Sequence, residues 1–164
     1  TVPCVGTSEG FLCLVDGTNP ATDPNAGCNV VPPAFASEIF VNQAICGQTS
    51  SYLTNTATQA RDTDWYKFTP LVTGNYQIVL FMPLENPALL VITNGTPDIT
   101  TCGALTVTGN GLGTAGVPLV FNQTLTAGTT YAIFASRPSL VTQPVPPSTP
   151  CNRGLYSLRI RLQP

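Results

Sequence analysis

Apolar residues in this chain come in short runs, and most runs keep a period of two rather than 3.6. The clearest run closes the chain. Tyr156, Leu158, Ile160 and Leu162 alternate with Ser157, Arg159 and Arg161, which predicts a strand with one buried and one wet face. Residues 76–82 are apolar on both parities and predict a central strand buried on both faces, ended by Pro83. Residues 89–93 predict another buried strand, closed by Asn94 and Gly95. Strands are also predicted over 48–53, 64–69 and, at an edge, 105–108. Residues 119–125 and 131–135 flank Ala127-Gly128-Thr129, a connection suited to a hairpin. Turn signals separate all these runs, and no stretch carries helical periodicity. The fold class predicted is all-β: an antiparallel β-sandwich, jelly-roll-like.

The N-terminal fifth is different. Residues 1–33 are rich in Gly, Pro and Asn and hold one β-capable run, Phe11, Leu12, Cys13, Leu14 and Val15. We read 1–33 as an extension and 34–164 as the sandwich domain. The segment Asp23-Pro24-Asn25-Ala26-Gly27-Cys28-Asn29 gathers oxygen ligands, but its Gly is misplaced for an EF-hand and no Glu follows. It reads as a turn anchored by Cys28.

Composition adds the compartment. Six Cys in 164 residues, none spaced C-x-x-C and with no His to complete a zinc site, imply disulfides in an oxidising setting. Pairing is open, since six Cys allow 15 connectivities. The chain opens at Thr1 without a signal-like segment, so it is expected to be a mature secreted product. No apolar run reaches the roughly 20 residues of a membrane span. Charged residues are only 9% of the chain, and one Lys with five Arg cannot form a nucleic-acid-binding patch.

Candidate chemistry centres on Arg61-Asp62-Thr63-Asp64-Trp65-Tyr66-Lys67-Phe68, where a polar loop runs into a strand. Asp62 and Asp64 share a parity at the strand's mouth. They either hold a cation or cap a turn and pair with Arg61. Trp65 has the opposite parity to Tyr66 and Phe68. It either stacks on a sugar or peptide from the outer face, or is covered by the N-terminal segment. Catalysis is not expected, because the chain has no His and its Cys are committed to disulfides.

Asp62-x-Asp64-Trp65-Tyr66-x-Phe68, Gly74-x-Tyr76-x-Ile78, Ala127-Gly128-Thr129-x-Tyr131-x-Ile133 and Tyr156-x-Leu158-x-Ile160 together resemble the bacterial pre-peptidase C-terminal domain, in a Cys-rich secreted variant. The resemblance covers roughly residues 34–162. It implies a small non-enzymatic jelly-roll beside a peptidase, some members binding calcium and some binding collagen or other polymers. Carried over, it makes Glu38, Asn42, Asp62 and Asp64 the calcium candidates, although the usual acidic run before the first strand is missing. Together with chain order it implies the disulfides Cys28–Cys46 and Cys102–Cys151, leaving Cys4–Cys13.

Two functions follow. The first is a self-associating subunit of an extracellular filament, coat or matrix, assembled through Phe11, Leu12, Leu14 and Val15, because few Lys guard the strand edges. The alternative is an accessory module that binds collagen or a polysaccharide, with calcium a possible cofactor. Asn94 and Asn122 head N-glycosylation sequons.

Overall fold

A computed structural model describes residues 7–8, 23–53, 59–138 and 154–164. Twelve strands are present among them: β1 (Thr7–Ser8), β2 (Ser37–Glu38), β3 (Ala44–Gln48), β4 (Ser51–Leu53), β5 (Gln59–Arg61), β6 (Asp64–Phe68), β7 (Gly74–Phe81), β8 (Ala88–Thr93), β9 (Thr106–Leu112), β10 (Leu119–Leu125), β11 (Tyr131–Ser136) and β12 (Leu155–Leu162). No helix occurs among the described residues.

Two five-stranded sheets face each other, ordered β1-β3-β12-β7-β10 and β2-β6-β11-β8-β9, with a separate β4-β5 ribbon. If the eight strands other than β1, β2, β4 and β5 are numbered afresh in chain order, the sheets run 1-8-3-6 and 2-7-4-5. That is the jelly-roll order, and the predicted sandwich is what forms. Among the described strands, only β1 with β3 and β2 with β6 pair in parallel.

The alternation read from sequence builds the core. Tyr66 and Phe68 from β6 meet Tyr76, Ile78 and Leu80 from β7, Ile133 from β11, and Tyr156, Leu158 and Ile160 from β12. β12 shows the expected periodicity over Tyr156, Leu158 and Ile160, which are buried between half-buried Ser157 and Arg159, but Leu162, expected on the same face, is exposed at the strand's end.

Three readings change. β7 alternates buried and half-buried positions, so only one of its faces lies in the core. The strand buried on both faces is β11, all six of whose residues are buried. The reason is a second apolar layer outside β6 and β11, formed by Trp65, Phe134, Ile92 and Ile99 with Phe35 and Leu105. β10 and β11 do not pair as a hairpin either. β10 pairs with β7, and β11 lies between β6 and β8 in the other sheet. The tight turn through Gly128 (φ 75°) carries the chain from one sheet to the other.

The disulfides are also corrected. Cys28 is bonded to Cys102, across 74 residues, which replaces both Cys28–Cys46 and Cys102–Cys151. Cys28 sits in the outer apolar layer, so docking of residues 23–36 onto that layer selects its partner. Cys46 is disulfide-bonded too. Cys4 and Cys13 lie outside the described residues, as do Phe11, Leu12, Leu14 and Val15.

Candidate metal centre

Residues 23–36, the end of the extension and the start of the domain, are stitched along the open side of β6. The Trp65 amide donates to the Asn25 carbonyl at 3.0 Å, and the Ala36 amide to the Pro24 carbonyl at 3.1 Å. Asn29 Nδ2 donates to Thr63 Oγ1, which also accepts from Trp65 Nε1 at 3.2 Å. A short antiparallel bridge joins Gly27 and Ala34.

Trp65 is therefore covered. Its indole is 7% exposed and packs edge-on against Phe35 and Phe134. The stacking role from the outer face is corrected: the outer face of β6 is an interior, filled by the chain's own N-terminal segment.

That docking brings a third acid to the two at the strand's mouth. Ligand oxygens of Asp23, Asp62 and Asp64 all lie within 4.8 Å of one another, and all three residues are buried. Asp64 has the inward parity of Tyr66. Its Oδ2 accepts a 2.8 Å hydrogen bond from Tyr156 Oη on the facing sheet, and Tyr156 Oη also bonds Tyr66 Oη. Asp62 is held from both sides. Its amide donates to the Ser50 carbonyl at 2.8 Å, and its own carbonyl accepts from Ser136 Oγ at 3.0 Å. Asp23 accepts from the Asn25 amide at 2.9 Å.

Burial raises the Asp23 pKa above its ordinary value; the Asn25 hydrogen bond opposes this and is the weaker influence. Beside Asp23, Asn25 is fully buried and both polar atoms of its side chain lack a hydrogen-bond partner. A buried amide without partners costs about 1–3 kcal/mol, so the Asn25 side chain offers polar atoms to a ligand beside Asp23.

The geometry suits a hard cation. Calcium binds oxygen at roughly 2.3–2.6 Å, so two of its ligands lie at most about 5 Å apart. An all-oxygen set without imidazole or thiolate selects calcium or magnesium over zinc or copper. A divalent ion among the three carboxylates would favour their ionised forms and offset the repulsion between them.

The other sequence candidates fall elsewhere. Glu38 is exposed and pairs in register with Lys67, three residues along β6 from Asp64, or about 10 Å. Asn42 is exposed in a turn at φ 66° and donates its amide to the Ile160 carbonyl. Neither Glu38 nor Asn42 joins the cluster, which corrects their place in the ligand set. Arg61 also goes elsewhere. It donates to the Arg137 carbonyl at 2.8 Å, and its guanidinium lies 5.5 Å over the Phe134 ring. Burial lowers its pKa. Of the sequon residues, Asn122 is exposed on β10, while Asn94 is half-buried and accepts from the amide and hydroxyl of Thr96.

Asp23 was missed as a ligand because its segment has no ligand spacing of its own. The one signal in the sequence was its density of oxygen donors ahead of Cys28.

No protein-family profile matches the chain, and no curated protein matches it. Among solved structures, a similar fold is the pre-peptidase C-terminal domain of collagenase from Bacillus anthracis, the family that the sequence motifs resemble. The TM-score is 0.45 and the identity 15%, over 76% of this chain and 93% of that one.

Proposed function

We propose that this chain is a non-catalytic extracellular accessory module whose N-terminal segment is clamped to its sandwich by a divalent cation, calcium above all. The observation that carries this is the buried meeting of Asp23 with Asp62 and Asp64. Asp23 belongs to the extension, and Asp62 and Asp64 to the mouth of β6, so one ion would tie the two parts together. The Asn25 amide oxygen supplies a further ligand, and water completes the six to eight that calcium takes. Absence of His supports a non-catalytic role. No helix among the described residues is long and apolar enough to cross a membrane.

A filament subunit built by exchanging the extension requires that segment to leave its own domain. Residues 23–36 instead close onto the domain they belong to, through Asn25, Asn29 and Trp65. This favours the accessory module.

For its partner we infer an extracellular polymer. Exposed Phe40, Leu71, Val72 and Leu162 lie at the end of the sandwich away from the carboxylates, where the turns following β2 and β6 meet the end of β12. Cosedimentation with collagen fibrils and insoluble polysaccharides tests this, using wild type and L71S/V72S. Binding to one polymer that the double variant loses is the expected result. Equal binding by both proteins would remove this surface from the account.

A further inference from the structure

We propose that the open side of the sandwich, formed by β9 and β10, is an edge-to-edge docking surface for a second copy of this chain. β9 ends one sheet and β10 ends the other. The two edges lie on the same side. A Cβ on Gly109 of β9 would meet the Phe121 ring and Gln123 of β10, so the strands approach closely without pairing. Among the described residues, no backbone group hydrogen-bonds to the outer edge of either strand.

Natural edges are usually guarded by Lys, inward charges, Pro or a covering loop. Among the described residues no such guard lies along β9 or β10. From Ile99 to Ser136 there is no charged residue; all six basic and eight acidic residues lie elsewhere. The exposed side chains along the edges include Val107, Leu112 and Val120. A charged partner finds no complement on such a surface. A second copy meets it without like-charge repulsion, although each chain carries a net charge of −2.

β10 is the better pairing strand. Its register with β7 runs unbroken from Leu119 to Leu125. β9 has an irregularity opposite Val91 and Ile92 and two glycines, Gly109 and Gly111. A two-fold axis beside β10 pairs it antiparallel with its own copy, an isologous contact that closes at two subunits. Seven residues span roughly 24 Å, and two sheets about 10 Å apart with their side-chain layers are about 20 Å deep. The contact then buries on the order of 500 Å² per copy, about 1,000 Å² in all, at the lower bound of a specific interface. Leu119, Phe121 and Gln123 face inward beside the seam, while Val120, Asn122 and Thr124 face out.

The test is sedimentation velocity of the wild-type protein over about 1–500 µM, a range suited to a small interface. The expected result is a concentration-dependent species of twice the 17.2 kDa chain mass. Val120→Lys places like charges on the two facing edges and is expected to weaken dimerisation roughly tenfold or more. Thr124→Lys, also exposed, makes the same test if Val120→Lys does not melt cooperatively. A monomer at every concentration overturns the proposal. So does a dimer of unchanged affinity in a folded Lys variant, or a mass that grows past two copies.

Discussion

Gly27 lies against the face of Trp65: a Cβ added to Gly27 would sit 2.2 Å from the Trp65 Cγ. Gly27 also has φ 56°, a backbone region that L side chains rarely adopt. Two constraints meet at one residue, and both come from docking residues 23–36 onto the outer face of β6. Gly27→Ala must strain the backbone and displace the indole together. We expect a loss of roughly 3 kcal/mol or more, a fall in thermal midpoint of about 6–12 °C for a domain of this size. Circular dichroism melts and the emission of the single Trp measure both consequences.

The Cys28–Cys102 bond fixes the same docking covalently. It closes 74 residues, for which the loop-entropy relation gives about 4 kcal/mol. Replacing both cysteines with Ala is expected to lower stability by that order, and to weaken calcium binding because Asp23 is then held less firmly. Calorimetry of the double variant, with and without calcium, checks the pair of effects.

Tyr156 links the two sheets at the carboxylates through Asp64 and Tyr66. Tyr156→Phe removes the hydroxyl while keeping the ring, and so takes a donor from Asp64 and an acceptor from the Tyr66 hydroxyl. A cost of about 1–3 kcal/mol is expected in chemical denaturation.

The pH dependence follows from Asp23. Its folded pKa is raised above 3.8 by burial. In metal-free protein its contribution to stability is full below 3.8 and is lost as pH rises through the folded value. Asp23→Asn removes that loss. The metal-free variant should therefore gain on metal-free wild type as pH rises from about 4 to 7. With calcium bound the carboxylate form is favoured, and the order reverses at neutral pH. Thermal midpoints of both proteins across that range, with and without calcium, decide it.

Strand content and core were legible where period-two alternation survives, as in β12, whose one face is buried while the other is half-buried or exposed. β11 could not be read as buried on both faces. Its second cover comes from Trp65, Phe35 and Ile99, which are distant in sequence and arrive by tertiary docking. The turn through Gly128 announced a tight reversal, but turn chemistry does not say which sheet each arm enters. Asp62 and Asp64 were legible as a pair from their shared parity on one short element. Asp23 was not, since nearly forty residues separate it from them, and it reaches them only when 23–36 folds back. Glu38 and Asn42, carried over by resemblance, lie instead further along β6 and beside β12.

The most direct test of the cation clamp is calcium titration of metal-stripped protein by isothermal calorimetry, with the thermal midpoint followed in parallel. We expect saturation at one ion per chain, with Kd near 10⁻⁴ M, as in roughly 10⁻⁴–10⁻³ M extracellular modules. At a hundredfold excess over Kd that contributes about 2.7 kcal/mol, or a rise of roughly 5–10 °C. Asp23→Asn and Asp64→Asn should each abolish the saturation. No binding heat and no thermal shift up to about 10 mM calcium, or saturation that both variants retain, would contradict the account.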